Sequence, residues 1–272
     1  IARATGAWHS LVRDEMNLWS AAPAISLWRA PTDNDGIKLW EGQDDKALGR
    51  WRGFGLDQLQ RRVDTVKLKR RLDAVVVETK IALSGRENWT DFKVTERLVF
   101  EEKLSRLELD LRIGDPALYD LPRIGFQLGL ATGFEHVSWY GPGPGETYSD
   151  RLAAGRIGRW ESTVDAMEVP YVMPQENGHR EAVQWVALRH ESGAVVRCQG
   201  VEPFGFNASH YPANELYRAR HREELVRSPE VWLNLDGFHR GVGTGSCGPD
   251  TLPQYCWAKK RAHFAFELEV SS

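Results

Sequence analysis

Cysteine is scarce in this chain. Cys198, Cys247 and Cys256 are the only three among 272 residues, and no C-x-x-C pair occurs. An odd number without paired spacing argues against a disulfide framework and a structural zinc site, so three free thiols in a reducing compartment are expected. Long apolar runs are also missing: none approaches the ~20 residues of a membrane-spanning helix. Neither sign of charge is in excess. A net charge of -3 and a pI of about 6.3 give no basic footprint for nucleic acid and no acidic tract. The chain opens on Ile1 with no charged and apolar leader behind it, so no secretory signal is read. Ala2-Arg3-Ala4-Thr5-Gly6 reads as an arbitrary cut. The expectation is a piece excised from a longer cytoplasmic polypeptide, with neither nucleic acid nor membrane as partner.

Helical periodicity is as scarce as cysteine. Ala47, Leu48 and Trp51 suggest one short helix, and Pro212 to Tyr217 another, with the proline near the first turn. What dominates is alternation. Leu107, Leu109, Leu111 and Ile113 share one parity, as do Ile124, Phe126, Leu128 and Leu130, and again Phe264, Phe266, Leu268 and Val270. This is the period-2 pattern of strands with one buried face. Further strand-like runs cover Leu72 to Leu83, Val94 to Phe100, Val137 to Tyr140 and Val231 to Leu235, separated by Gly/Pro turns. Many strands, frequent turns and few short helices predict an all-β fold, a large antiparallel sandwich in one domain spanning 1–272.

Tryptophan is abundant, with 11 residues. Its flat apolar face suits the C–H face of a sugar ring, although in a large β domain any single tryptophan is more often core. Four loops concentrate polar groups. The first, Arg29-Ala30-Pro31-Thr32-Asp33-Asn34-Asp35-Gly36, has Asx-turn chemistry, and its spacing is not that of a calcium loop. The second, Gly141-Pro142-Gly143-Pro144-Gly145-Glu146-Thr147-Tyr148-Ser149-Asp150-Arg151, follows a strand and lacks the Lys-Ser/Thr of a phosphate loop. Its prolines stiffen it, and Asp150 beside Arg151 reads as a surface ion pair. In the third, Met173-Pro174-Gln175-Glu176-Asn177-Gly178-His179-Arg180, four kinds of polar group share one turn, as a sugar site or an interdomain brace requires. The fourth is Leu233-Asn234-Leu235-Asp236-Gly237-Phe238-His239-Arg240-Gly241-Val242-Gly243, where a strand empties into a glycine-rich loop ending Gly245-Ser246-Cys247-Gly248-Pro249-Asp250. His210 and His239 are the imidazoles best placed for proton transfer, yet a lone histidine is more often structural.

In this order and over most of the chain, the four motifs resemble the C-terminal domain of the β-galactosidases of glycoside hydrolase family 2. The resemblance implies a β-supersandwich like that of galactose mutarotases. It also implies a parent enzyme that hydrolyses terminal β-galactosides with retention, whose two catalytic glutamates sit on a preceding TIM barrel. No catalytic residue is therefore expected here. The resemblance assigns this chain the rim of a sugar cleft, for which the candidates are Asp33, Asn34, Asp35, Glu176, Asn177, His179, Arg180, His210, His239 and Cys247. Some family members present a tryptophan about where Cys247 stands, and Trp257 is the nearest substitute. No cofactor or metal is expected on this chain, and any divalent or monovalent cation of the parent is expected on other domains. The implied partners are the preceding domains, the galactoside and further copies of the parent. Two alternatives are a mutarotase-like epimerase acting alone through His210 and His239, and a carbohydrate-binding module. An excised domain is also expected to expose apolar residues where its neighbour sat.

Overall fold

A computed structural model describes residues 1–38, 40, 42–102 and 104–271. The strands are β1 (Val12–Arg13), β2 (Met16–Asn17), β3 (Trp19–Ser26), β4 (Gln60–Arg70), β5 (Val75–Ser84), β6 (Phe92–Phe100), β7 (Ser105–Ile113), β8 (Arg123–Leu130), β9 (His136–Gly143), β10 (Arg156–Thr163), β11 (Arg180–Arg189), β12 (Val195–Ser209), β13 (Val231–His239) and β14 (Arg261–Ser271). Short helices α1 (Ala47–Gly53), α2 (Val164–Met167) and α3 (Ala213–Arg218) lie in the connections. Apart from the small β1–β2 pair, the strands form one 12-stranded antiparallel sheet. Among the described residues no helix is long and apolar enough to cross a membrane.

The sheet forks at β12. Val195 to Gly200 pair with β14, which continues through β7, β6 and β5 to β4. Gly205 to Ser209 pair instead with β13, which leads to β8 and β3. Pro203 lies between the two pairings, and a residue without an N–H suits a point where the strand changes partner. The branches bury apolar faces against each other: Phe126 of β8 and Phe266 of β14 meet edge-on with ring centroids 6.1 Å apart. Most of the alternating residues expected inside are there, while Phe264 and Val270 are half-buried. Leu107, Leu109, Leu111, Ile124, Phe126, Leu128, Leu130, Phe266 and Leu268 are all buried. Both expected helices form; Ala47, Leu48 and Trp51 turn inward, and Pro212 is the N-cap of α3.

Three boundaries differ from the sequence expectation, one of them at β13, which runs on to His239 where the strand-like run was read as ending at Leu235. The run from Leu72 starts as a strand only at Val75, because Leu72 sits fully exposed in the β4–β5 turn. The Gly141-Pro142-Gly143 stretch, expected as loop, extends β9 and pairs with β10. Close packing accounts for it: a Cβ on Gly141 would approach Val183 Cα to 2.7 Å. Trp8, Trp19, Trp28, Trp51 and Trp139 are core residues.

Candidate functional site

The four polar loops meet at one edge of the fold and are bonded to one another. Asn34 Nδ2 donates to the Gly243 carbonyl at 2.8 Å, and its Oδ1 accepts from Ser246 N and Oγ, which ties the first loop to the fourth. Gln175 Oε1 accepts from Asp33 N at 3.1 Å, tying the first to the third. Glu146 accepts from Tyr148, Tyr171 and Gly178 N, tying the second to the third. Asp150 accepts from Val242 N at 3.1 Å and Gly243 N at 2.7 Å, tying the second to the fourth. Asp150 is thus a clamp between loops and not the surface partner of Arg151, whose guanidinium faces Glu146 at 3.7 Å. Gly241 permits the clamp, since a Cβ there would lie 2.8 Å from the Asp150 carboxyl carbon.

These ties enclose a cleft of about 200 Å³ lined by Thr32, Asp33, Asn34, Tyr148, Arg151, Tyr171, Gln175, Glu176, Val242 and Ser246. Of the ten rim candidates, Asp33, Asn34 and Glu176 line it; exposed Cys247 is next in sequence to the lining Ser246 but is not itself a lining residue. The others do not reach it. Asp35 is fully buried and holds Arg29 through two hydrogen bonds of 2.7 and 3.0 Å, Thr32 N at 2.7 Å and Arg240 at 3.1 Å. Asn177 bonds Val169 N and the Gln175 carbonyl. Arg180 donates to the Gly178 and Pro144 carbonyls and lies over the Trp139 ring, with burial lowering its pKa to about 10. His210 stands apart with Glu135, Ser228 and Glu230. Among the described residues no tryptophan lines the cleft. Trp257 packs against Phe238 and Phe264 instead, and the aromatic rings at the cleft are Tyr148 and Tyr171.

Beneath the cleft lies a buried polar cluster. The His179 and His239 rings stack at 4.2 Å, with Tyr148 stacked on His179 at 5.5 Å. A register shift between Asp236 and Phe238 makes this possible. In a regular strand, residues three apart face opposite sides; one extra residue lets Asp236 and His239 reach the same partner. Asp236 Oδ2 is 3.6 Å from His179 Nδ1. Arg123, the first residue of β8, sits 2.9 Å from Asp236 and 3.1 Å from Glu176. Burial alone would push the Glu176 carboxyl up, but the Arg123 guanidinium together with His239 and Arg29 outweighs this and holds it at about 2. For Asp236 burial prevails, and its carboxyl rises to about 6. Burial and the neighbouring His179 drive His239 well below its ordinary value. One ligand atom from each of Glu176, His179 and His239 lies within 4.8 Å of the other two. Sequence reasoning missed Arg123 and the role of Asp236. A single arginine opening an apolar strand carries no local signal, and only the strand register brings it to Glu176.

The family model described as Beta galactosidase small chain matches residues 1–268. A β-galactosidase of Arthrobacter sp. (strain B7) is 34% identical over an alignment of 267 positions that covers 86% of this chain and 25% of that protein. The β-galactosidases of Lactococcus lactis and Vibrio vulnificus are 31% and 32% identical, over 89% and 92% of this chain and 24% of each relative. The chain therefore spans about a quarter of the length of these relatives. A galactose mutarotase-like protein from Lactobacillus casei aligns with the whole chain and 96% of its own length, at 11% identity and a TM-score of 0.49.

Proposed function

The chain belongs to the β-galactosidase small-chain family, and from that premise we propose that it is the C-terminal domain of a retaining β-galactosidase, one β domain across 1–272 that completes the sugar cleft. The observation that carries this is the convergence of all four motifs on one cleft of about 200 Å³. Small-molecule sites usually enclose ~300–1,000 Å³, so this cleft suits one wall of a larger site. A retaining mechanism needs two carboxyl groups about 5–5.5 Å apart astride the scissile bond. Among the described residues, the carboxylates lining the cleft are Asp33 and Glu176, and Glu176 is engaged by Arg123. The catalytic pair is accordingly assigned to a preceding TIM barrel and the substrate to terminal β-galactosides. Exposed apolar side chains adjoin the cleft residues in sequence, Leu152 beside Arg151 and Val172 beside Tyr171, as a docking surface for that barrel requires. Further copies of the parent are proposed as assembly partners. The three free cysteines favour a cytoplasmic setting.

The isolated chain is expected to leave a chromogenic β-galactoside intact. In the full-length parent, Asp33→Ala and Arg151→Ala are expected to raise KM several-fold. Hydrolysis by the isolated chain that a point substitution within it abolishes would overturn the proposal, as would an unchanged KM in both parent variants.

A further inference from the structure

Two imidazoles beneath the cleft have their protons assigned and their lone pairs unused. His179 Nε2 lies 2.9 Å from Glu181 Oε2, and its Nδ1 has no hydrogen-bond partner. His239 Nδ1 lies 2.9 Å from the Arg240 carbonyl oxygen, which can only accept, and its Nε2 has no hydrogen-bond partner. A neutral imidazole that donates through one nitrogen presents a lone pair at the other. Both residues are at least 99% buried, so no bulk water reaches these nitrogens. Metal-binding histidines are held in the same way, with the second ring nitrogen donating to a carboxylate or a backbone carbonyl.

We infer that Glu176, His179 and His239 form a binding site for a divalent transition metal of the zinc type. The donor set is two imidazoles and one carboxylate, which suits zinc, cobalt or nickel and not the all-oxygen shells of magnesium or calcium. Asp236 stands beside this set and not in it: its Oδ2 is 3.6 Å from His179 Nδ1, and its Oδ1 lies 2.9 Å from Arg123 Nε. Two carboxylates, Glu176 and Asp236, face one guanidinium, Arg123, so local charge favours a cation. Metal–nitrogen bonds of about 2.0–2.1 Å place ligand atoms roughly 3–3.5 Å apart, and the side chains would close by about an ångström from their present spacing. The ion would join the Glu176 loop to the start of β11 and the end of β13. Since Glu176 also lines the cleft, it would stiffen the cleft wall. The inference is independent of the sugar proposed above.

The test uses the whole chain, stripped with a chelator and dialysed against micromolar Zn²⁺ or Co²⁺. One equivalent of bound metal is expected, with visible Co²⁺ absorption bands typical of four or five ligands. His179→Gln and His239→Gln should each weaken binding at least tenfold. Glu181→Ala removes only the acceptor behind His179 and should weaken binding about 10–100-fold, with circular dichroism confirming the fold. Folded wild-type protein that retains no metal overturns the inference. So does binding that persists undiminished in both histidine variants, which would place the ion on surface histidines. If those variants do not fold, unchanged affinity in Glu181→Ala overturns it instead.

Discussion

At the scale of single residues, the polar loops are held by acceptors that take two or three donors each. Asp150 is the plainest case, because its carboxylate receives the N–H groups of both Val242 and Gly243 and so bonds the second loop directly to the fourth. Asp150→Ala should leave both N–H groups short of an acceptor and destabilise the chain by about 1–3 kcal/mol, read as a lower urea midpoint with an unchanged m-value. No shift in the midpoint would mean that water replaces the carboxylate at no cost. These roles were only half legible in the sequence. The density of Asn, Asp, Glu and His marked the right four loops, because such density exceeds what a turn needs. Which residues face the cleft was not legible. Asp33 and Asp35 are two apart, yet one lines the cleft and the other is sealed against Arg29 and Arg240. That division follows from the position of two arginines, Arg29 at the head of the same loop and Arg240 far along the chain.

At the scale of elements, the strands that were easiest to foresee bury one face and wet the other. β7 and β8 announce themselves by parity, and both lie in the core as expected. β4 was missed because it pairs only with β5 at the sheet edge and carries Arg61, Arg62, Lys67, Lys69 and Arg70. Edge strands are often charged in this way, which blocks pairing with other chains, and charge on both faces erases the alternation. The bulge in β13 was also hidden, because it exists only relative to β8. Its Gly237 lies against the Phe264 ring, where a Cβ would meet Cγ at 2.0 Å. Gly237→Ala should therefore cost about 1–3 kcal/mol through overpacking, measured as a fall in Tm. Gly145→Ala is the control, since nothing lies within 4 Å of its would-be Cβ. Equal Tm values for the two variants would show that the ring moves aside freely and that the bulge does not depend on glycine.

At the scale of the whole molecule, ion pairs join segments that the sheet does not, and this sets how the chain responds to acid. Arg240 alone holds Asp35, Asp120 and Asp250 at 3.1, 2.5 and 2.9 Å, connecting the first polar loop, the turn before β8 and the loop before β14. Burial raises the Asp250 carboxyl, but the hydrogen bond and charge of Arg240 outweigh it, leaving the pKa below its ordinary value. Hydrogen bonds from Arg97 and Arg218 depress Glu78 and Glu215 in the same sense. A carboxyl whose pKa is lower folded than unfolded contributes stability that is complete above its unfolded value, near 4, and is lost as pH falls through the folded value. Glu96 and Asp236 run the other way: burial raises both pKa values, so their contributions favour the fold at low pH and fade as pH rises. The depressed group is the larger one, so the urea midpoint should fall steadily as pH drops from about 5 to 3. Asp250→Asn should be the less stable protein at pH 7 but should lose less on acidification, so that the two curves converge. Curves that stay parallel down to pH 3 would mean that Asp250 has the same affinity for protons folded and unfolded, and that the Arg240 network is not what acid undoes.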